Sequence, residues 1–281
     1  MGAVYALFAV GYTLVFGVLD ILNLAHAAIY MAAAFLTLAL VGHGWPLWLA
    51  FIAGIAAGGV MGVLLDRIAF APLRKRRAGP LAPLISSIAM AIIIQSIAQG
   101  AFGIDEQRFP DSVLAVQNFH FGGVIFTLLD VGTLGTAIAL MLILSYVLRA
   151  TALGRGIRAV AEDRVAAALL GIDIERTIAY TFFIASALGA AAGILAGLQF
   201  NSLSVDMGGR IELKGLAVII LGGMGSVTGA VIGGFLLGAV ETLSVAYISS
   251  SFRDAIAFGV MFLILVLKPT GIFGRKALRA A

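Results

Sequence analysis

Residues able to do chemistry are sparse in this chain, and most of them stand alone inside apolar runs. Asp20, Asn23 and His26 interrupt one such run close together. A helix break at such a place exposes backbone donors and acceptors to a passing solute, a device transporters use. The same residues also suit an ordinary cytoplasmic turn, with Asn23 capping the helix that follows. Gln95 and Gln99 lie one helical turn apart on another apolar stretch, where they can bond a neighbouring helix or a solute. Asn201, Ser202, Asp206, Arg210, Glu212 and Lys214 read as the solvated rim of an outward-facing mouth. Glu241 sits midway along an apolar run and needs a partner on a neighbouring helix or in a substrate, because a bare carboxylate is costly in hydrocarbon. The substrate-path candidates are therefore Asn23, His26, Gln95, Asn201 and Glu241.

Bond-making chemistry has no such candidates. His26, His43 and His120 are far apart, and none has the spacing of a His-Glu-x-x-His metal site. The sequence contains no Gly-x-Ser-x-Gly elbow and no Gly-x-x-x-x-Gly-Lys-Ser/Thr phosphate loop. With 0 cysteines, neither disulfides nor thiolate metal sites are available. The reading is of a chain that is not an enzyme and binds no cofactor or metal, so any ATP that drives it is hydrolysed by other polypeptides.

The longest mixed-charge segment runs from Gly154 to Asp173, far longer than a loop between two spans requires. Within it Val165, Ala168, Leu169 and Ile172 recur at three- and four-residue spacing, which predicts a short amphipathic helix over Ala161–Gly171. Asp163 is placed to cap its start, and Gly171 suits a left-handed C′ ending. Such a helix either lies on lipid or docks into a soluble partner and passes that partner's motion to the spans beside it.

The elements that must carry these residues are membrane spans. Of 281 residues, 62% are hydrophobic and 11% charged, and the mean hydropathy is +1.10. Apolar stretches fall at 2–19, 27–42, 47–65, 81–100, 128–149, 177–199, 214–224, 229–247 and 254–267. Most are long enough to cross about 30 Å of hydrocarbon. They are continuous rather than alternating, so they read as helices and not as a transmembrane barrel. The fold class is an all-α polytopic membrane protein of eight or nine spans, in one domain over 1–281, with a cytoplasmic coupling segment at about 151–176. The first run continues into Asp20 and Asn23 without a cleavage site and reads as a span, with a few residues expected upstream of Met1. The sequence pI of 9.6 points to topology, not to nucleic acid, because the basic residues cluster at span ends.

Those clusters set the orientation. Arg67, Arg74, Lys75, Arg76 and Arg77 mark one cytoplasmic loop. Arg149, Arg155, Arg158, Arg164 and Arg176 mark a second, and Lys268, Arg275, Lys276 and Arg279 mark a cytoplasmic C-terminus. The segments near 101–127 and 200–213 then lie outside, as does the N-terminus. Parity requires the short stretch at 214–224 to complete a crossing, as a broken helix. Glycines spaced by four at Gly54, Gly58 and Gly62, at Gly189, Gly193 and Gly197, and at Gly225, Gly229 and Gly233 make smooth helix faces. These pack against helices of the same chain or against a partner permease.

Taken together, the runs Tyr5-Ala6-Leu7, Asn23-Leu24-Ala25-His26, Arg158-Ala159-Val160-Ala161-Glu162-Asp163, Leu170-Gly171-Ile172-Asp173, Leu221-Gly222-Gly223-Met224-Gly225-Ser226, Arg253-Asp254 and Lys268-Pro269-Thr270-Gly271 resemble LivH-type permease subunits of branched-chain amino acid ABC importers. The resemblance implies a bacterial inner-membrane protein paired with a LivM-type permease. Two cytoplasmic ABC ATPase subunits and a periplasmic substrate-binding protein would complete the importer. It also implies that the segment after the fifth span is the coupling helix, with Arg158, Glu162, Asp163, Arg164, Leu169, Gly171 and Asp173 as the candidate coupling residues. Ala27 departs from the family's usual glycine and Asp20 from its usual apolar residue, both beside the candidate path. Similar permeases serve urea or short amides, and an ion-coupled secondary transporter is the alternative outside the family; the latter would want more buried ionisable groups than Glu241.

Overall fold

The computed structural model describes residues 1–79, 81–110, 118–121, 124–268 and 270–274. Helices α1 (Gly2–Leu19), α2 (Ala25–Gly42) and α3 (Leu47–Leu65) come first. A π-helical turn at Asp66–Phe70 then leads into α4 (Ala71–Lys75) without a break. Next are α5 (Leu81–Phe102), a small hairpin of β1 (Asn118–Phe121) and β2 (Val124–Thr127), and α6 (Leu128–Ala150). Two short helices, α7 (Ala152–Glu162) and α8 (Arg164–Leu169), separate α6 from the long α9 (Ile174–Phe200). The chain finishes with α10 (Met207–Gly222), α11 (Val227–Tyr247) and α12 (Arg253–Leu267). The antiparallel hairpin pairs Asn118 with Thr127 and is the only sheet among the described residues. The all-α expectation holds for everything that crosses the membrane.

Eight helices are long and apolar enough to span a bilayer. Helix α10 is not among them; the orientation read from the basic residues needs it to cross as well, and its bounds differ from the expected 214–224. It begins at Met207, so Arg210, Glu212 and Lys214 lie on a helix; Arg210 and Lys214 line an open cavity, whereas Glu212 has a carboxylate oxygen buried. Its 16 residues rise about 24 Å, short of roughly 30 Å of hydrocarbon. The irregular segment 201–206 leads into it, held by paired backbone bonds between Gln107 and Leu203.

Helices α1 and α9 are buried almost all round, whereas α5, α6 and α12 keep broad apolar faces exposed to lipid or a partner. Glycine stripes decide this packing, and each meets a helix of this same chain. A Cβ on Gly58 would strike Ala190, and one on Gly62 would strike Ser186, so α3 lies directly on α9. One on Gly193 would strike the Tyr30 carbonyl, placing α9 on α2. Gly234 and Gly238 of α11 face Ala6 and Gly2 of α1 in the same way. Missing side chains let these backbones approach, and that contact replaces the hydrophobic drive that lipid cannot supply.

Both basic internal segments fall at one end of the bundle, the cytoplasmic end by the positive-inside rule. Arg74 on α4 bonds buried Asp66 at 2.5 Å and Glu175, in the first turn of α9, at 3.0 Å. This network was not foreseen, because the basic run there was read only as an orientation signal.

Candidate translocation and coupling sites

The break after α1 begins at the cytoplasmic end, beside Arg164, and ends deep in the bundle at the start of α2. Asp20 ends α1 in the left-handed conformation, with φ 56°. Residues 20–24 then climb back before α2 begins. A Cβ on Gly189 would meet the His26 imidazole at 2.6 Å, and Gly189 stands about 22 Å along α9 from Ile174 at the cytoplasmic end. The start of α2 is therefore inside the hydrocarbon, and non-helical backbone there is tolerated only where protein or a cavity covers it. Asn23 does not cap α2, since no side chain caps that helix. The Leu24 amide donates instead to Ser87 Oγ at 3.2 Å. Asn23 and His26 are both fully enclosed, and their side-chain polar atoms have no partner among the described residues. His26 is packed by Phe8 and Tyr12, with ring centroids at 4.8 and 5.7 Å.

A second uncapped helix start meets the first. α10 begins at Asp206–Met207 without a side-chain cap, and Gly208 lies so close to Ala27 that a Cβ would stand 2.6 Å from its carbonyl oxygen. Between them is a cavity of about 80 Å³ lined by Leu24, Ala27, Gln95, Val205, Gly208 and Glu212. Gln95 donates to Asp206 at 3.0 Å and to the Val205 carbonyl at 3.3 Å. Glu212 has one carboxylate oxygen buried without a partner among the described residues. Two uncapped helix starts, a glutamine and a carboxylate thus meet at one small polar cavity. Glu212 was read as rim in the sequence, because its depth depends on where α10 starts.

Asn201 and Glu241 do other work. Asn201 closes α9 in the left-handed conformation, φ 46°, and accepts the Phe109 amide at 2.9 Å. Glu241, 1% exposed, accepts from Tyr5 at 2.7 Å, Lys214 at 2.6 Å and Arg253 at 2.5 Å. Lys214 also reaches Asp254 at 2.8 Å. Four helices thus meet at one carboxylate, whose partners Tyr5, Lys214 and Arg253 line a larger cavity of about 400 Å³ at the outer end. Its lining includes Tyr5, Tyr30, Phe200, Arg210, Lys214 and Arg253.

At the opposite end the long charged segment forms two helices instead of one. Ala161 and Glu162 end α7, which begins at a Thr151 cap accepting the Gly154 amide. The predicted Ala161–Gly171 helix therefore shortens to Arg164–Leu169. The reason is Asp163, whose extended backbone breaks the helix and whose carboxylate accepts from Val165 and Ala166 at 2.7 and 3.1 Å. Gly171 has φ +81° and ends the turn as expected. Asp173 caps α9 by accepting the Arg176 amide at 3.0 Å. Arg164 donates to the Val18 carbonyl at 2.9 Å. Arg158 and Glu162 stay at this end on α7. Val165, Leu169 and Leu170 are 71%, 85% and 80% exposed, so the apolar side of α8 points away from the bundle.

A family described as "Branched-chain amino acid transport system / permease component" matches residues 1–265. The high-affinity branched-chain amino acid transport system permease protein LivH of Escherichia coli K12 is 35% identical over 98% of this chain and 92% of its own length. BraD, the corresponding permease protein of Pseudomonas aeruginosa, is 35% identical over 98% and 93%. A probable LivH of Methanocaldococcus jannaschii is 28% identical over 95% and 88%. No solved structure matches. A multi-span bundle with paired helix breaks and an outward-pointing cytoplasmic helix is therefore a transport subunit, and the chain belongs to the family of branched-chain amino acid transport system permease components.

Proposed function

We propose that this chain forms one half of the inner-membrane path of an ATP-driven importer for branched-chain amino acids. A LivM-type permease forms the other half, two ABC ATPases sit on the cytoplasmic face, and a periplasmic binding protein delivers the substrate. The observation that carries the reading is the outward apolar side of α8, with Leu169 at 85% exposure on a helix bonded through Arg164 to the end of α1. An apolar patch exposed to water marks a site for a protein partner. ATP-driven closure of the ATPases would push α8, and with it α1, whose C-terminal end leads directly into the break at Asp20–Leu24. Arg158, Glu162, Asp163, Gly171 and Asp173 shape and flank that docking surface.

Substrate would pass the paired helix starts of α2 and α10. Asn23 and His26 act from the break, and Gln95 and Glu212 from the cavity wall, while Asn201 and Glu241 hold the outer walls. The small polar cavity supports a zwitterionic solute over urea, which has no charge to place. Reconstitution in liposomes tests this: leucine uptake should require ATP, the ATPases and the binding protein together. Uptake by the permeases alone would overturn it.

A further inference from the structure

Tyr5 and Arg253 lie in two of the runs that carry the family resemblance, yet neither belongs to the break or to the coupling helix. They come together at the outer cavity, where Arg210, Lys214 and Arg253 supply three cations. Glu241 and Asp254 are the carboxylates paired with them. Arg210 makes no ion pair among the described residues, and its side chain is exposed. Among side chains, three cations thus face two carboxylates, one positive charge in excess, and Met1 lines the cavity beside them. Glu241 is enclosed behind Lys214 and Arg253, so it fixes their positions without offering itself to the cavity. The remaining lining is aromatic and aliphatic, from Tyr30, Phe200 and Ile211, with hydroxyls at Ser202 and Ser204. At about 400 Å³ the space falls within the roughly 300–1,000 Å³ typical of small-molecule sites.

We propose that this outer cavity is an entry site that holds the α-carboxylate of the incoming amino acid against Arg210 and Lys214, before the solute reaches the paired helix starts. It rests on the importer reading above. One anion balances the excess charge, and guanidinium and ammonium groups are matched to carboxylates by charge-assisted hydrogen bonds. The aliphatic side chain lies against Tyr30 and Ile211, and the hydroxyls of Ser202 and Ser204 accept from the ammonium. The site would accept any small aliphatic amino acid, which leaves fine selectivity to the protein that delivers it.

The test uses the complete importer in proteoliposomes with leucine-loaded binding protein. Arg210→Gln is the main variant, because Arg210 is not needed to neutralise Glu241. Uptake at low binding-protein concentration should fall about tenfold or more, the loss expected for one charged hydrogen bond. Arg210→Lys should restore most of it. The affinity of the binding protein for the complex should not change. Unchanged uptake by Arg210→Gln would overturn the proposal. An equal loss of binding-protein affinity would overturn it too, by showing that Arg210 docks an acidic surface of that protein. A wild-type importer that carries no amino acid would instead remove the underlying reading, before any variant is compared.

Discussion

The Arg164 guanidinium donates to the Val18 carbonyl at 2.9 Å, tying the first residue of α8 to the last turn of α1. These residues are far apart in sequence and belong to different ends of the proposed mechanism. The bond caps an orphan carbonyl at the C-terminal end of α1, where a cation is favourable. It also gives motion of α8 a direct route to the break at Asp20–Leu24. Arg164→Ala should leave the complex assembled and its ATPase active but lower uptake by about tenfold, within the usual range for coupling energies. Proteoliposome uptake measured beside ATP hydrolysis checks it; parallel loss of both would mean the bond matters only for assembly.

Docking should depend on the outward side of α8. Leu169→Asp places a charge where an 85% exposed leucine now stands, so the isolated permease should be no less stable. ATPase co-purification should drop about tenfold or more, as for a residue central to an interface. Asp163→Ala should have a milder effect, through loss of the cap to Val165 and Ala166, which is worth about 0.5–2 kcal/mol of helix stability.

Glu241 is held by three donors and should matter for stability first. Glu241→Ala leaves Arg253 without its counter-ion and Lys214 with only the exposed Asp254. Breaking a buried pair costs about 3–5 kcal/mol, and the cost here should fall at or below that range because Arg253 is 30% exposed. The unfolding midpoint in detergent should drop by several degrees. Pairing Glu241→Gln with Lys214→Met should recover part of the loss, and a strictly additive double mutant would argue against direct coupling.

Two glycine substitutions should separate close packing from helix propensity. Gly193→Ala drives a methyl group into the Tyr30 carbonyl and should destabilise the fold or abolish expression. Gly135→Ala on α6 meets open space and should be neutral or stabilising by up to about 1 kcal/mol. Thermal melts of the two variants decide between these outcomes.

At the paired helix starts, Gln95→Leu removes the bonds to Asp206 and Val205. If this is the path, uptake should slow while ATPase activity and assembly persist. Normal uptake would move the path elsewhere.

Much of this architecture is legible one segment at a time. Span positions, orientation and the absence of catalytic motifs follow from residue types and local charge. The Asp163 cap and the left-handed Gly171 are legible as well, because each acts on backbone within three residues of itself. The start of α7 at Thr151 was missed because its arginines and glycines mask the apolar positions Ile157 and Val160, which the structure buries. The start of α10 was missed because Arg210, Glu212 and Lys214 look like a solvated rim when their partners are unknown.

The sequence by itself determined a polytopic helical membrane protein with no chemistry of its own, since hydropathy, periodicity and capping are local properties of the chain. Only the tertiary structure decided which polar groups meet. Tyr5, Lys214, Glu241 and Arg253 converge across as many as 248 positions, and Asn23, His26 and Gln95 come to lie near a second helix start. Those encounters depend on how closely α1, α2, α3, α9 and α11 can approach, which glycine faces set through steric fit between distant segments. The physical reason is that steric complementarity between helix surfaces has no signature in the spacing along any one of them.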